Sequence, residues 1–235
     1  MRKLLILLSI SFYTFYNSQI KLDILVHEKI STGKYLLRIT VKNQTNDFYA
    51  LPLDKTGFKA YYSSEYCASQ ESEYSYKYLS PTIMLKDNSK NQFIEASSKM
   101  MDLVENYKDE YSKNMGFSDK EKEELILKWK NKNSIQTISA AQKNYYLVNN
   151  LVLLRPNEEI DYNVELDMTG IPRLDIKGEY DYYFLDHNKY ALSLDLCILE
   201  NVYMDLTKRQ KEKLKKYKLY GGTIKSNTFS FEAYK

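Results

Sequence analysis

The chain has 235 residues, with 34 Lys and Arg against 31 Asp and Glu and a formal charge of +3. So near-even a balance gives no general case for nucleic-acid binding, whose footprint is a strongly basic domain. Two histidines and two well-separated cysteines are too few for a structural zinc site, and the length suffices for one domain with a real core.

The first predicted element is a leader. Arg2 and Lys3 form a basic start, and Leu4 to Tyr16 form an apolar run too short to cross ~30 Å of hydrocarbon as a helix. Small and polar residues follow at Asn17 and Ser18. This is the layout of a secretory signal peptide over residues 1–19, cut before or after Gln19. The Ser-Gln junction resembles exported proteins of some Gram-negative bacteria, in which Gln begins the mature chain. With no cysteine at the junction, a lipid anchor is not expected. Removing the leader takes away two positive charges and leaves about 217 residues at +1. No second long apolar run occurs, so the mature chain is expected to lack a transmembrane segment and to be periplasmic or extracellular.

Period-two alternation then predicts strands. Ile20, Leu22, Ile24 and Val26 share one face of residues 20–28, and Tyr35, Leu37, Ile39 and Val41 share one face of residues 35–42, with a turn at Ser31, Thr32 and Gly33 between them. NQTND, 43–47, is a further turn, and Pro52 in FYALPL marks an edge strand or a strand end. GFKAYY, 57–62, is another strand candidate.

The period changes next. Phe93, Met100, Val104, Tyr107 and Tyr111 recur at spacings of one amphipathic helix face. Gly116 ends that helix, and Ser118 with Glu121 forms a capping box for a second one carrying Leu125 and Trp129. Residues 134–144 fit helix or strand. Together they predict a helical insertion over about 89–144.

Strands return with NLVLL. Pro156 in RPNEE suits the second position of a turn, and Ile160, Tyr162, Val164, Leu166 and Met168 alternate until Gly170 and Pro172. EYDYYFL, 179–185, and YALSLDLCIL, 190–199, read as a hairpin joined at His187-Asn188-Lys189. In the second, Tyr190, Leu192, Leu194, Leu196 and Ile198 share a face, which puts Cys197 opposite with Ser193 and Asp195. Thr207 and Gln210 form a capping box for a helix through Lys218, stopped by Gly221-Gly222. A last strand, TIKSNTFSFEAY, places Phe229 and Phe231 on one side.

"YLLRITVKNQTNDFYALPL" is similar to the early strand pair of immunoglobulin-like sandwiches, and "LLRPNEEIDYNVELD" resembles the later turn and strand of such modules in bacterial exported proteins. Asn157 stands where those turns usually carry Gly. "KGEYDYYFL" resembles the strand that follows. The resemblance covers about a third of the chain. It implies a mainly β chain, an antiparallel immunoglobulin-like β-sandwich with two or three helices added, in one domain over 20–235. Such modules mostly bind or space other domains and carry no catalytic residues.

In an oxidising compartment, two cysteines read most simply as a Cys67–Cys197 disulfide. Two free thiols, or a catalytic cysteine served by His27 or His187, are the alternatives. Tyr74, Tyr76 and Tyr78 alternate beside Cys67. In a strand their rings would share a face and offer flat apolar area with hydroxyl handles to a sugar or protein; packing over the core is the competing reading. Tyrosine numbers 23; a binding surface is one cause, and an AT-rich genome, the favoured reading, is another. Lys208, Arg209, Lys211, Lys213, Lys215, Lys216 and Lys218 form a basic stretch suited to anionic lipid or an acidic partner, or simply a solvated helix. Asp181, Asp186 and Asp195 lack a calcium-loop pattern and read as solvated carboxylates. Asn43-Gln44-Thr45 is a glycosylation sequon. No catalytic residue, metal site or cofactor is expected. The functional expectation is an exported, non-enzymatic protein binding a protein or glycan of the cell envelope. The alternative is a secreted hydrolase or hydrolase inhibitor using the helical insertion as lid or wedge. Oligomeric state is not legible.

Overall fold

The structure is a computed structural model and describes residues 19–31, 33–67, 78–100, 119–173 and 179–233. It is mainly β, with four antiparallel-rich sheets and few helices.

The first sheet has the order β1-β2-β8: Ile20–Ser31, Lys34–Asn43 and Glu159–Asp167. These strands are the cleanest alternations in the sequence, and their inward residues Leu22, Ile24, Leu37, Ile39, Val41, Val164 and Leu166 are all buried. Gly33 makes the β1–β2 turn at a φ of +80°, a conformation that costs glycine little. On the outer face, Lys34 meets Asp167 at 2.5 Å, Lys42 meets Glu159 at 3.2 Å, and Arg38 pairs with Asp161. Each pair is at least partly exposed and contributes little alone. Together they fix register, because a one-residue slip would break all three and turn the apolar set to water.

The second sheet has β3 (Tyr49–Pro52) between β7 (Leu151–Leu154, antiparallel) and β12 (Lys218–Leu219, parallel). Pro52 is the last residue of β3, beyond the reach of β12. Asn157 has a φ of +58° in the Arg155–Glu158 turn, closed by Glu158 N–H to Arg155 C=O at 3.1 Å. It occupies the left-handed position that glycine would otherwise fill.

The third sheet is built on β11 (Lys189–Ile198), which pairs with β4 (Thr82–Asp87), β13 (Gly222–Lys225) and β14 (Phe229–Glu232); β5 (Gln92–Ile94) lies beyond β4. The fourth joins β6 (Ser97–Met100), β10 (Glu179–Tyr182) and β9 (Ile171–Pro172). One hydrophobic cluster draws buried residues from the first three sheets and β9. Two helices, α1 (Asp119–Asn133) and α2 (Ile138–Asn149), pack on each other through Trp129 and Tyr145, whose ring centroids are 5.2 Å apart.

Several expectations are corrected. Gln92–Ile94 and Ser97–Met100 are strands β5 and β6, not the start of a helix, so the helical region opens later than residue 89; Val104, Tyr107, Tyr111 and the cap residue Ser118 lie outside the described residues. Residues 57–62 form a single bridge, Lys59 to Thr82, rather than a strand, because their main chain bonds elsewhere: the Tyr61 N–H donates to the Tyr183 hydroxyl at 2.8 Å. β10 and β11 are not a hairpin, since they belong to different sheets. The chain changes sheet at Tyr183, whose N–H bonds Met168 C=O at 2.8 Å and whose hydroxyl donates to Ile83 C=O at 2.8 Å. The last strand is two strands broken at Ser226–Asn227, both on β11. Finally, α3 covers Lys208–Lys213 rather than reaching Lys218. The Thr207–Gln210 capping box forms, but Lys218 donates its N–H to Phe48 C=O at 2.7 Å, and β3 draws the chain into β12.

Candidate functional site

Cys67 and Cys197 form a disulfide, with Cα atoms 5.6 Å apart and 130 residues between them. The alternation in β11 places Cys197 on the face opposite Leu196 and Ile198, half-buried, so the bond pins the 57–67 segment against the outer side of that sheet. Cys67 has a φ of +55°, the left-handed region that non-glycine residues enter only when their surroundings hold them.

Tyrosine–carboxylate bonds hold the same segment. The Tyr66 hydroxyl donates to Asp195 Oδ2 at 2.8 Å, and the Tyr62 hydroxyl donates to Asp181 Oδ1 at 2.7 Å. Asp195 is 2 % exposed and Asp181 1 %, so these are not the solvated carboxylates expected from sequence. Lys225 lies 3.6 Å from Asp195, and Arg173 lies 3.8 Å from Asp181. Burial first, then the accepting carboxylate, raises both tyrosine pKa values and keeps the hydroxyls protonated as donors. Asp186 instead lies beside the Tyr190 hydroxyl, which accepts its N–H at 2.9 Å. Among the described residues, no group of three or more His, Cys, Asp or Glu is placed to hold a metal ion.

Tyr78 packs edge-on against Tyr146, with centroids 5.1 Å apart, at the border of the core. Burial, then the charge of Asp205, raises its pKa. Tyr74 and Tyr76 lie outside the described residues. Lys59 lies on the main-chain side of Tyr78: its Nζ donates to Tyr78 C=O at 3.3 Å, and burial pulls its pKa down to about 8 against the opposing charge of Glu65.

A buried polar seam anchors the helices. Asn144, fully buried, donates to Asp205 C=O and to Gln210 Oε1 at 2.7 Å each. Its Oδ1 accepts from Trp129 Nε1 at 2.8 Å and Gln210 Nε2 at 3.0 Å. Gln210 therefore caps α3 and clamps α2 at once. Nearby, buried Asp54 accepts the Tyr146 hydroxyl at 2.7 Å and the Thr56 hydroxyl at 2.6 Å. Sequence reasoning missed this seam because its members are single polar residues in otherwise ordinary helix and loop patterns.

All seven predicted basic residues are exposed. Lys215 pairs with Glu212 at 2.7 Å, Lys218 pairs with Asp47 at 2.5 Å, and Lys216 stands about 5 Å over the rings of Phe48 and Tyr217. Lys208, Arg209, Lys211 and Lys213 have no ion pair among the described residues. The sequon asparagine is the reverse case. Asn43 is fully buried, and its amide donates to Asp47 C=O at 2.7 Å and Arg155 C=O at 2.8 Å.

The fold and these surfaces define a mainly β, disulfide-linked chain in which no described helix is long and apolar enough to cross a membrane. Comparison with protein-family models, with curated proteins and with solved structures found no match to any of the three.

Proposed function

We propose that this chain is an exported, non-enzymatic binding protein of the cell envelope, working as one immunoglobulin-like sandwich domain and released to the periplasm or exterior by cleavage near Gln19. The disulfide fits an oxidising compartment. The sandwich reading is supported by Tyr35 of the first sheet, whose ring packs 5.7 Å from both Phe229 and Phe231 of the third.

The observation that carries the binding reading is the basic ridge at 208–218. Four of its cations are exposed and unpaired among the described residues, while a buried amide seam and a helix cap hold the backbone beneath them. Such a pre-set array of like charge attracts a polyanion at little ordering cost. The partner is a polyanionic envelope component, a glycan bearing acidic groups or an anionic lipid surface. Co-sedimentation with vesicles containing anionic phospholipid and, separately, retention on an acidic polysaccharide distinguish these sources. Binding should weaken with added salt and fall at least roughly tenfold in a Lys211→Glu, Lys213→Glu variant, since each ridge cation near such a surface contributes about 1 kcal/mol. Binding by neither material, or unchanged binding by the variant, overturns the reading.

A further inference from the structure

We propose that the outer face of the β1-β2-β8 sheet holds a second, small site for one neutral sugar ring, formed by His27, Arg38, Asp161 and Asn163. These residues, with Tyr162, line a shallow depression of about 210 Å³. That is below the ~300–1,000 Å³ of pockets for drug-sized ligands, so one ring is the limit.

The site arises from a break in the ladder. The register of β1 on β2 shifts between Val26 and Glu28, leaving His27 as the extra residue of a bulge. Bulges re-aim side chains and are common beside binding sites. Arg38 and Asn163 face one another in register on β2 and β8, and Asp161 is two residues along. The Tyr162 ring packs against the core.

Asp161 is fixed as an acceptor. The Thr40 hydroxyl donates to its Oδ1 at 2.5 Å and Arg38 donates to its Oδ2, and these two donors hold its carboxyl below the usual range. Neither the His27 ring nor the Asn163 amide has a hydrogen bond or ion pair among the described residues. The depression thus offers donors from Asn163, His27 and the rest of the Arg38 fork, and acceptors from Asn163, His27 and Asp161. An inorganic anion supplies acceptors alone and meets the Asp161 charge. A cation meets Arg38. Vicinal hydroxyls donate and accept at once, which satisfies both sets. Leu25, opposite Arg38 in register and 61 % exposed, is an apolar neighbour of the depression rather than part of its lining.

The site is independent of the basic ridge, and its test separates the two. The intact protein is titrated with glucose, galactose and N-acetylglucosamine, and in parallel with glucuronate and phosphate, while backbone amide resonances are followed. Saturable shifts confined to the segments around His27, Arg38 and Asn163, with at least one neutral sugar, are expected. Asn163→Ala and His27→Ala should each weaken that sugar several-fold without moving the melting temperature, because both residues are exposed. The Lys211→Glu, Lys213→Glu variant should bind the sugar as well as the wild type. Overturning results are no saturable shift with any neutral sugar, a response to glucuronate and phosphate alone, or full binding in both alanine variants.

Discussion

The side-chain amide of Asn227 bonds Ile24 as a neighbouring strand would: Ile24 N–H donates to Asn227 Oδ1 at 2.6 Å, and Asn227 Nδ2 donates to Ile24 C=O at 3.0 Å. The two residues are 203 apart in sequence. The contact ties the first sheet to the third at the break between β13 and β14, beside the single bridge from Leu22 to Ser226. Asn227→Ala strands a donor and an acceptor on buried Ile24 and should cost roughly 2–3 kcal/mol in denaturant unfolding. Asn227→Asp keeps only the acceptor and should fall between.

Lys59 gives a pH prediction. Its folded pKa is about 8 against an ordinary 10.5. Between those values the unfolded chain holds the extra proton, so stability rises with pH across that window, and the penalty is fully present below it. The full effect is at most roughly 3 kcal/mol. The raised tyrosines act only above about pH 10, where they reverse the trend. Urea midpoints should therefore climb from pH 7.5 to 9.5. Lys59→Met should flatten that climb and be more stable than the wild type at pH 7.

Reduction of Cys67–Cys197 should destabilise the fold. Cross-linking across 130 residues is worth roughly 5 kcal/mol in the chain-entropy model, with about 2–4 kcal/mol typical of measurements. Mass spectrometry of unreduced protein should show no alkylated cysteine. Tyr66 and Tyr62 should hold part of the 57–67 segment in place after reduction, so a Cys67→Ala, Tyr66→Phe double variant should lose more order there than Cys67→Ala alone.

On the export proposed above, cleavage should fall before Gln19 rather than after it. Gln19 C=O accepts from Gln44 N–H at 3.0 Å, and its side chain accepts the Tyr49 hydroxyl at 2.8 Å; cutting after Gln19 removes both contacts. Intact mass and N-terminal sequencing of exported protein decide between the two cuts, and a chain still starting at Met1 overturns export.

The sequence was most legible where one face of a strand is buried and the other wet. β1, β2, β8 and β11 follow their alternation almost residue for residue, and β11 correctly set Cys197 outside the apolar face. It misled where spacing alone was the evidence: Phe93 and Met100 are seven apart, a helical interval, yet both are exposed on short strands. Partner choice among strands was not legible either. EYDYYFL and YALSLDLCIL look like a hairpin, but the Tyr183 hydroxyl sits between Tyr61 N–H and Ile83 C=O, which sends the chain to a different sheet. The Asp181 and Asp195 contacts depend on tyrosines more than 100 residues away, beyond the reach of any local pattern. Of the candidate sites, the basic ridge was legible as a run of charge, whereas the His27 bulge is visible only once β1 and β2 are in register.

The pairing of β2 with β8 sets an order of events during synthesis. Arg38 and its partner Asp161 are 123 residues apart, so the β1–β2 hairpin emerges long before the strand that covers its second edge. Until then β2 presents a bare row of amides and carbonyls beside a strongly apolar face, which is the feature that seeds aggregation. The closing strand must also be found across a long loop, which slows folding. A chain built this way depends on its early hairpin being shielded until residues 159–167 have been made, and factors that hold nascent chains open should raise its yield more than any change to its finished core.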